Sequence, residues 1–141
     1  MRNERGFSMV ELLIVVTIIS LLAAIAIPNL RRARQSANAA SAVQSLRTIT
    51  TAQHLYKQRT KKYGTLAQLA PDGTLDTSLG SGNKSSYIFD VSVSADFEHF
   101  TSNATPMEEP LLFTYYFVDE TAVIRYNQGA PADVLSSPIP R

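Results

Sequence analysis

From Phe7 to Leu30 the chain carries one charged residue, Glu11, in a run that is otherwise almost entirely apolar. As an α-helix those 24 residues would be roughly 36 Å long, enough to cross the ~30 Å hydrocarbon layer of a membrane. An acidic group in that layer costs about 2.5–3.5 kcal/mol on insertion scales, so such groups usually have a partner and a task. What partners Glu11 therefore constrains the whole chain.

Three other readings of the run are weighed against a retained span. A buried core helix is disfavoured because the run exceeds the ~18 residues at which a span is the default. A cleaved secretory signal would use Arg2 and Arg5 as its basic start and Ala24-Ile25-Ala26 as its small-residue cleavage site. Against it, the apolar run is longer than the usual 7–15 residues and Glu11 falls where signals avoid charge. A carboxylate near a helix end can also snorkel to the headgroups.

The segment Gly6-Phe7-Ser8-Met9-Val10-Glu11, followed by an apolar helix and Pro28, resembles the N-terminus of type IV pilins and type II secretion pseudopilins. The resemblance covers about the first thirty residues. It implies a leader, residues 1–6, cut between Gly6 and Phe7 by a membrane-embedded prepilin peptidase that also N-methylates Phe7. The physics agrees. Gly6 offers no side chain to obstruct a peptidase, and cleavage leaves an ammonium on Phe7 within reach of Glu11, in the same copy or in a neighbour. A paired charge is tolerated in a low-dielectric bundle and an unpaired one is not. Glu11 then acts as a register device, since slippage by one turn leaves two charges unpaired. Pro28 matches the family's helix-breaking proline. Lacking an N–H and crowding the preceding turn, it should kink or loosen the helix between Ala24 and Pro28.

The partners implied are copies of the chain in a helical filament, the prepilin peptidase/methyltransferase, a pilus or secretion assembly platform, and membrane lipid before assembly. The implied location is the bacterial inner membrane, single pass with the head outside the cytoplasm, and later the cell surface. Arg31, Arg32 and Arg34 follow the span, whereas Arg2 and Arg5 less Glu4 precede it. That count does not favour this orientation under the positive-inside rule.

Charge is strongly segregated. Eight basic and no acidic residues lie between Leu12 and Pro71, whereas Asp72 to Arg141 holds ten acidic and three basic ones. Such a molecule could pack head against stem with its own copies, or its basic stretch could meet phosphate. The basic residues Arg47, Lys57 and Arg59 are not interleaved with stacking aromatics, so the signal for DNA is weak. They read more simply as a solvated face.

The stem, residues 31–62, repeats Ala39, Ala42, Val43, Leu46, Ile49, Ala52 and Tyr56 at helical spacing. Residues 63–86 read as a loop, with turn signals at Pro71-Asp72-Gly73 and Gly80-Ser81-Gly82-Asn83. The head, residues 87–128, reads as strands at Tyr87–Val93, around Phe97–Thr101, at Leu111–Val118 and at Thr121–Tyr126, the last two joined by a tight turn at Asp119-Glu120. In the first of these, Tyr87, Phe89, Val91 and Val93 alternate with more polar neighbours, predicting one buried face. Residues 129–141 form a proline-rich irregular tail. The expected fold is α+β, a long N-terminal helix packed on a small antiparallel sheet, as in pilins.

The remaining residues are poor in catalytic chemistry. There is no cysteine, which excludes the disulfide that closes a C-terminal loop in many type IVa pilins. There is no tryptophan, whereas major pseudopilins carry an aspartate-proline-tryptophan-glycine-like segment and a calcium loop. His54 and His99 lack zinc-ligand spacing. Asp72 and Asp76 fall short of the usual six to eight oxygens of a calcium site, and turn capping by Asp72 is the simpler reading. Gly80-Ser81-Gly82 lacks the strand and helix of a nucleotide fingerprint. Twelve aromatic residues suit a packed core and subunit interface rather than electron transfer. Asn83-Lys84-Ser85 and Asn103-Ala104-Thr105 match the glycosylation sequon.

The expected function is a structural, non-enzymatic subunit of a type IV pilus or pilus-like filament, with no cofactor. Two alternatives stay open. One is a minor pilin or pseudopilin that primes assembly or binds a ligand such as DNA. The other is a soluble secreted binding domain released after Ala26.

Overall fold

The computed structural model describes residues 7–107 and 113–140, apart from the side chain of Asp72. The chain divides between Ser36 and Ala37 into two compact units. The first contains the whole apolar run. Helix α1 spans Met9–Thr60, and its residues before Ser36 are almost all exposed. Met9 is 89% exposed, and Leu13, Ile19, Leu22 and Ile25 all exceed half. This helix alone among the described residues is long and apolar enough to cross a membrane, and none of its most apolar window is buried in the chain. Pro28 lies inside α1 without ending it. The backbone therefore tolerates the one helical hydrogen bond that proline cannot donate, and the stem pattern continues in the same helix as expected.

The second unit is built where that apolar stripe meets a sheet. Ala42, Leu46, Ile49 and Ala52 are fully or almost fully buried. They cluster with Leu69, Leu79, Tyr87, Phe89, Ala104, Tyr116 and Val118. Burying a leucine or isoleucine contributes about 1.5–3 kcal/mol, so Leu46 and Ile49 are major anchors of the stem. Ala42 and Ala52 fill the intervening buried positions of the same face.

The sheet has strands β1 (Asn83–Lys84), β2 (Tyr87–Val93), β3 (Phe100–Pro106), β4 (Thr114–Asp119), β5 (Arg125–Gln128) and β6 (Ser137–Pro138). They are hydrogen-bonded in chain order, every neighbour antiparallel. The architecture is α+β and pilin-like, a long N-terminal helix followed by an antiparallel meander.

β2 matches the sequence reading. β3 does not: it begins at Phe100 rather than near Phe97, because Phe97 adopts a left-handed φ of 61° that breaks the extended chain. β5 begins at Arg125 rather than Thr121, because the turn after β4 continues through Ala122, also left-handed. The expected strand residue Leu111 lies outside the described residues, and β4 begins at Thr114. The loop reading of residues 63–86 did not resolve two short α-helices, α2 (Leu66–Leu69) and α3 (Thr77–Gly80), a 3-10 turn at Ala70–Asp72, or β1. The tail supplies β6, whose Ser137 and Pro138 pair Tyr126 and Arg125.

One buried polar clasp fixes the connection after α1. Gln53 is fully buried. Its Nε2 donates to the Gly64 carbonyl at 2.6 Å, and its Oε1 accepts from the Gly64 N–H at 3.0 Å. A Cβ at Gly64 would lie 2.9 Å from the Tyr56 ring, so a larger residue there would have to push that ring aside.

Candidate functional site

The candidate site is the start of α1. The helix begins at Met9, which makes Ser8 the cap residue and Glu11 the third helical residue. The Glu11 Oε2 accepts from the Ser8 N–H at 2.9 Å, and the Ser8 Oγ accepts from the Val10 N–H at 3.3 Å. A Ser-x-x-Glu box of this kind satisfies amides left without helical partners. It also sets a negative charge beside the positive end of the helix dipole. Glu11 therefore already has a local role that the sequence reading overlooked. The signal is legible as the spacing Ser8-Met9-Val10-Glu11, but the sequence reading treats the carboxylate as a charge in a span and a partner for an ammonium, not as a cap.

Phe7 is 76% exposed, one residue before the cap. Gly6 and the residues before it, where the sequence reading places a leader, lie outside the described residues. Further along, Thr17 and Ser20 return their hydroxyls to the carbonyls of Leu13 and Val16. These two hydroxyls are thus satisfied within one helix, as a hydrocarbon environment demands. Pro28 sits far down the same helix from Glu11 and makes no part of the box.

Elsewhere the chemistry-bearing residues are spent on packing. His54 meets the Tyr63 ring edge-on at a centroid distance of 6.3 Å, and Tyr63 lies 4.8 Å from Phe100. Lys57 stands 4.2 Å over Tyr63 and pairs with Glu98 at 2.8 Å. That partner occupies a lysine which the phosphate-binding reading would need free. Asp76 caps α3 through the Leu79 N–H at 2.8 Å and pairs with Lys84. The Lys84 hydrogen bond, with that amide, holds its carboxyl below the usual range. Among the described residues no three His, Asp, Glu or Cys side chains gather where a metal could bind. Gly80-Ser81-Gly82 closes α3 and turns the chain into β1. Seven aromatics, among them Tyr63, Tyr87, Phe89 and Phe100, are buried in the second unit. Burial pushes Tyr87 up to about 12, and its hydroxyl donates to the Thr114 carbonyl at 3.0 Å. Asn83 is exposed on β1, and Asn103 is half-buried on β3.

The His99 Nδ1 lies 2.8 Å from the Glu120 Oε1, joining the β2–β3 loop to the turn after β4. The Glu120 hydrogen bond raises the His99 pKa above its ordinary 6.5. The pair is therefore complete below about pH 6.5 and is lost as pH rises through the raised folded value. An NMR titration of His99 should give a midpoint above the ordinary value, and Glu120→Gln should return it toward that value. A midpoint unmoved by Glu120→Gln would show that the contact does not form.

The family model for the prokaryotic N-terminal methylation motif matches residues 1–27. That motif is the hallmark of type IV pilins and pseudopilins. It marks proteins that in general self-assemble and are processed by prepilin peptidase. The motif and the apolar helix together fit anchoring in the inner membrane before assembly. A search of curated proteins finds no match.

Proposed function

We propose that the chain is a structural subunit of a type IV pilus or pilus-like filament, made as an inner-membrane prepilin. In this reading residues 1–6 are removed between Gly6 and Phe7, and Phe7 is N-methylated. Residues 7–30 are the membrane and assembly helix, residues 31–62 the stem and residues 87–128 the head. Residues 63–86 link stem to head, and residues 129–141 are the proline-rich tail.

The observation that carries it is the helix start. An unburied apolar helix opens on a carboxylate that already faces the backbone N–H of Ser8. Cleavage before Phe7 would place a new ammonium next to that carboxylate. The pair would be neutral overall and able to sit in a helix bundle, where a lone charge would not. Pro28 contributes by leaving one carbonyl of α1 without its helical donor, a point where the assembled helix can yield. The remaining partners are other copies of the chain, the peptidase and the assembly platform.

Intact mass and N-terminal sequencing of the mature protein test this directly. A chain starting at methylated Phe7 is expected. A chain starting at Ile27 would mean that Ala24-Ile25-Ala26 is a secretory cleavage site and that the head is a released soluble domain.

A further inference from the structure

We propose that the heads of adjacent copies join by a knob and a cleft: Val134 and Leu135 of one copy seat beside Val123 and Ile139 of the next, and Asp133 there meets Arg47. The inference rests on the filament reading above and specifies which head surfaces touch.

The knob is a turn that displays apolar side chains. Leu135 is 89% exposed and Val134 is 55% exposed. Single exposed leucines are ordinary, but these two are held out on a rigid frame. The Leu135 N–H donates to the Asp133 Oδ1 at 3.0 Å, and the Ser136 Oγ donates to the same oxygen at 2.8 Å. The Asp133 N–H donates to the Ser136 Oγ at 2.9 Å, and the Ser136 N–H to the Asp133 carbonyl at 3.1 Å. Arg125 of β5 fastens the turn from below, its guanidinium donating to the Ser136 carbonyl at 3.1 Å. A group ordered before binding loses little entropy on binding.

The cleft lies between α1 and the last strands. Arg47 stands at its rim, with Val123, Ile124, Ile139 and Pro140 forming an apolar wall around about 440 Å³. Cavities of about 150 Å³ already accept an apolar guest, so a leucine fits. Leu135 is too exposed to be filling the cleft of its own chain, which leaves it available to another copy.

Charge selects the same pairing. Arg47 is exposed and makes no ion pair among the described residues. Asp133 stays ionised, the Ser136 hydroxyl holding its carboxyl below the usual range. A knob edged by a carboxylate thus faces a cleft edged by a guanidinium. Because knob and cleft are different patches, the contact is heterologous, and repetition generates an open chain rather than a closed dimer.

The chain has no cysteine, so introduced thiols report on this contact alone. Filaments of the double variant Val123→Cys, Leu135→Cys should give a ladder of dimers, trimers and larger species on mild oxidation, and each single variant should stay monomeric. Adding Arg47→Asp should weaken the ladder several-fold, and adding Asp133→Arg as well should restore it. Monomers from intact double-variant filaments overturn the proposal, as do equal dimers from Leu135→Cys alone or thiol adducts to a foreign protein. If the double variant does not assemble, filament yield of the charge-swapped pair decides: no rescue overturns the contact while wild-type filaments keep the subunit reading. Absence of filaments from the wild type overturns both.

Discussion

Glu11→Ala is expected to insert in the membrane and be cleaved after Gly6, yet to lose filaments at least about 100-fold. Insertion does not suffer, because the substitution removes a group that costs about 2.5–3.5 kcal/mol in hydrocarbon. Assembly suffers twice. The Ser8 N–H loses its acceptor, at a cap cost of about 1 kcal/mol. In the proposed filament the Phe7 ammonium would enter the bundle without a counter-charge, and breaking a buried pair costs about 3–5 kcal/mol. At 1.4 kcal/mol per factor of ten, the second term alone exceeds a hundredfold. Glu11→Gln separates the two effects, since its amide oxygen can still accept from Ser8 but carries no charge. The measurement is the ratio of sheared filament to membrane-held subunit, with intact mass confirming cleavage. If Glu11→Gln assembles as the wild type does, the carboxylate serves only as a helix cap and the charge pair is wrong.

How much of this was legible depends on the kind of signal each element leaves. The stem stripe was readable because Ala42, Leu46, Ile49 and Ala52 are apolar and buried, and periodicity counts apolar residues. Ser45 and Gln53 share that buried surface but are polar, so no hydrophobic pattern marks them. β3 alternates in burial from Phe100 to Pro106, yet its inward positions include Ser102 and Pro106. The alternation exists in space and is faint in the letters.

The shortest elements leave still less. β1 and β6 have two residues each, too few for any period, and exist because longer neighbours hold them. The left-handed Phe97 and Ala122 are residues that sequence rules do not place in such turns, so strand ends near them were misplaced by several residues. At the candidate site the reverse holds. Every residue of the Ser8 to Glu11 box was visible, and only the tertiary view separates a local cap from a charge awaiting a partner.

The second large effect belongs to Gln53, the residue that the apolar pattern hid. Gln53→Leu keeps the volume and deletes both hydrogen bonds to Gly64. The freed N–H and C=O stay buried, and each unsatisfied group costs about 1–3 kcal/mol. A total loss of about 2–4 kcal/mol follows, which for a head of this size lowers the Tm by roughly 10–25 °C. Gln44, on the exposed side of the same helix, is the control, and Gln44→Leu should stay within about 0.5 kcal/mol of the wild type. Thermal unfolding of the detergent-solubilised chain, followed by tyrosine absorbance, reads both variants. If Gln53→Leu melts with the control, the clasp contributes nothing and the apolar stripe alone holds the stem to the head. If it melts far below, a polar residue outside the periodic pattern sets the stability of the unit that carries the knob and the cleft.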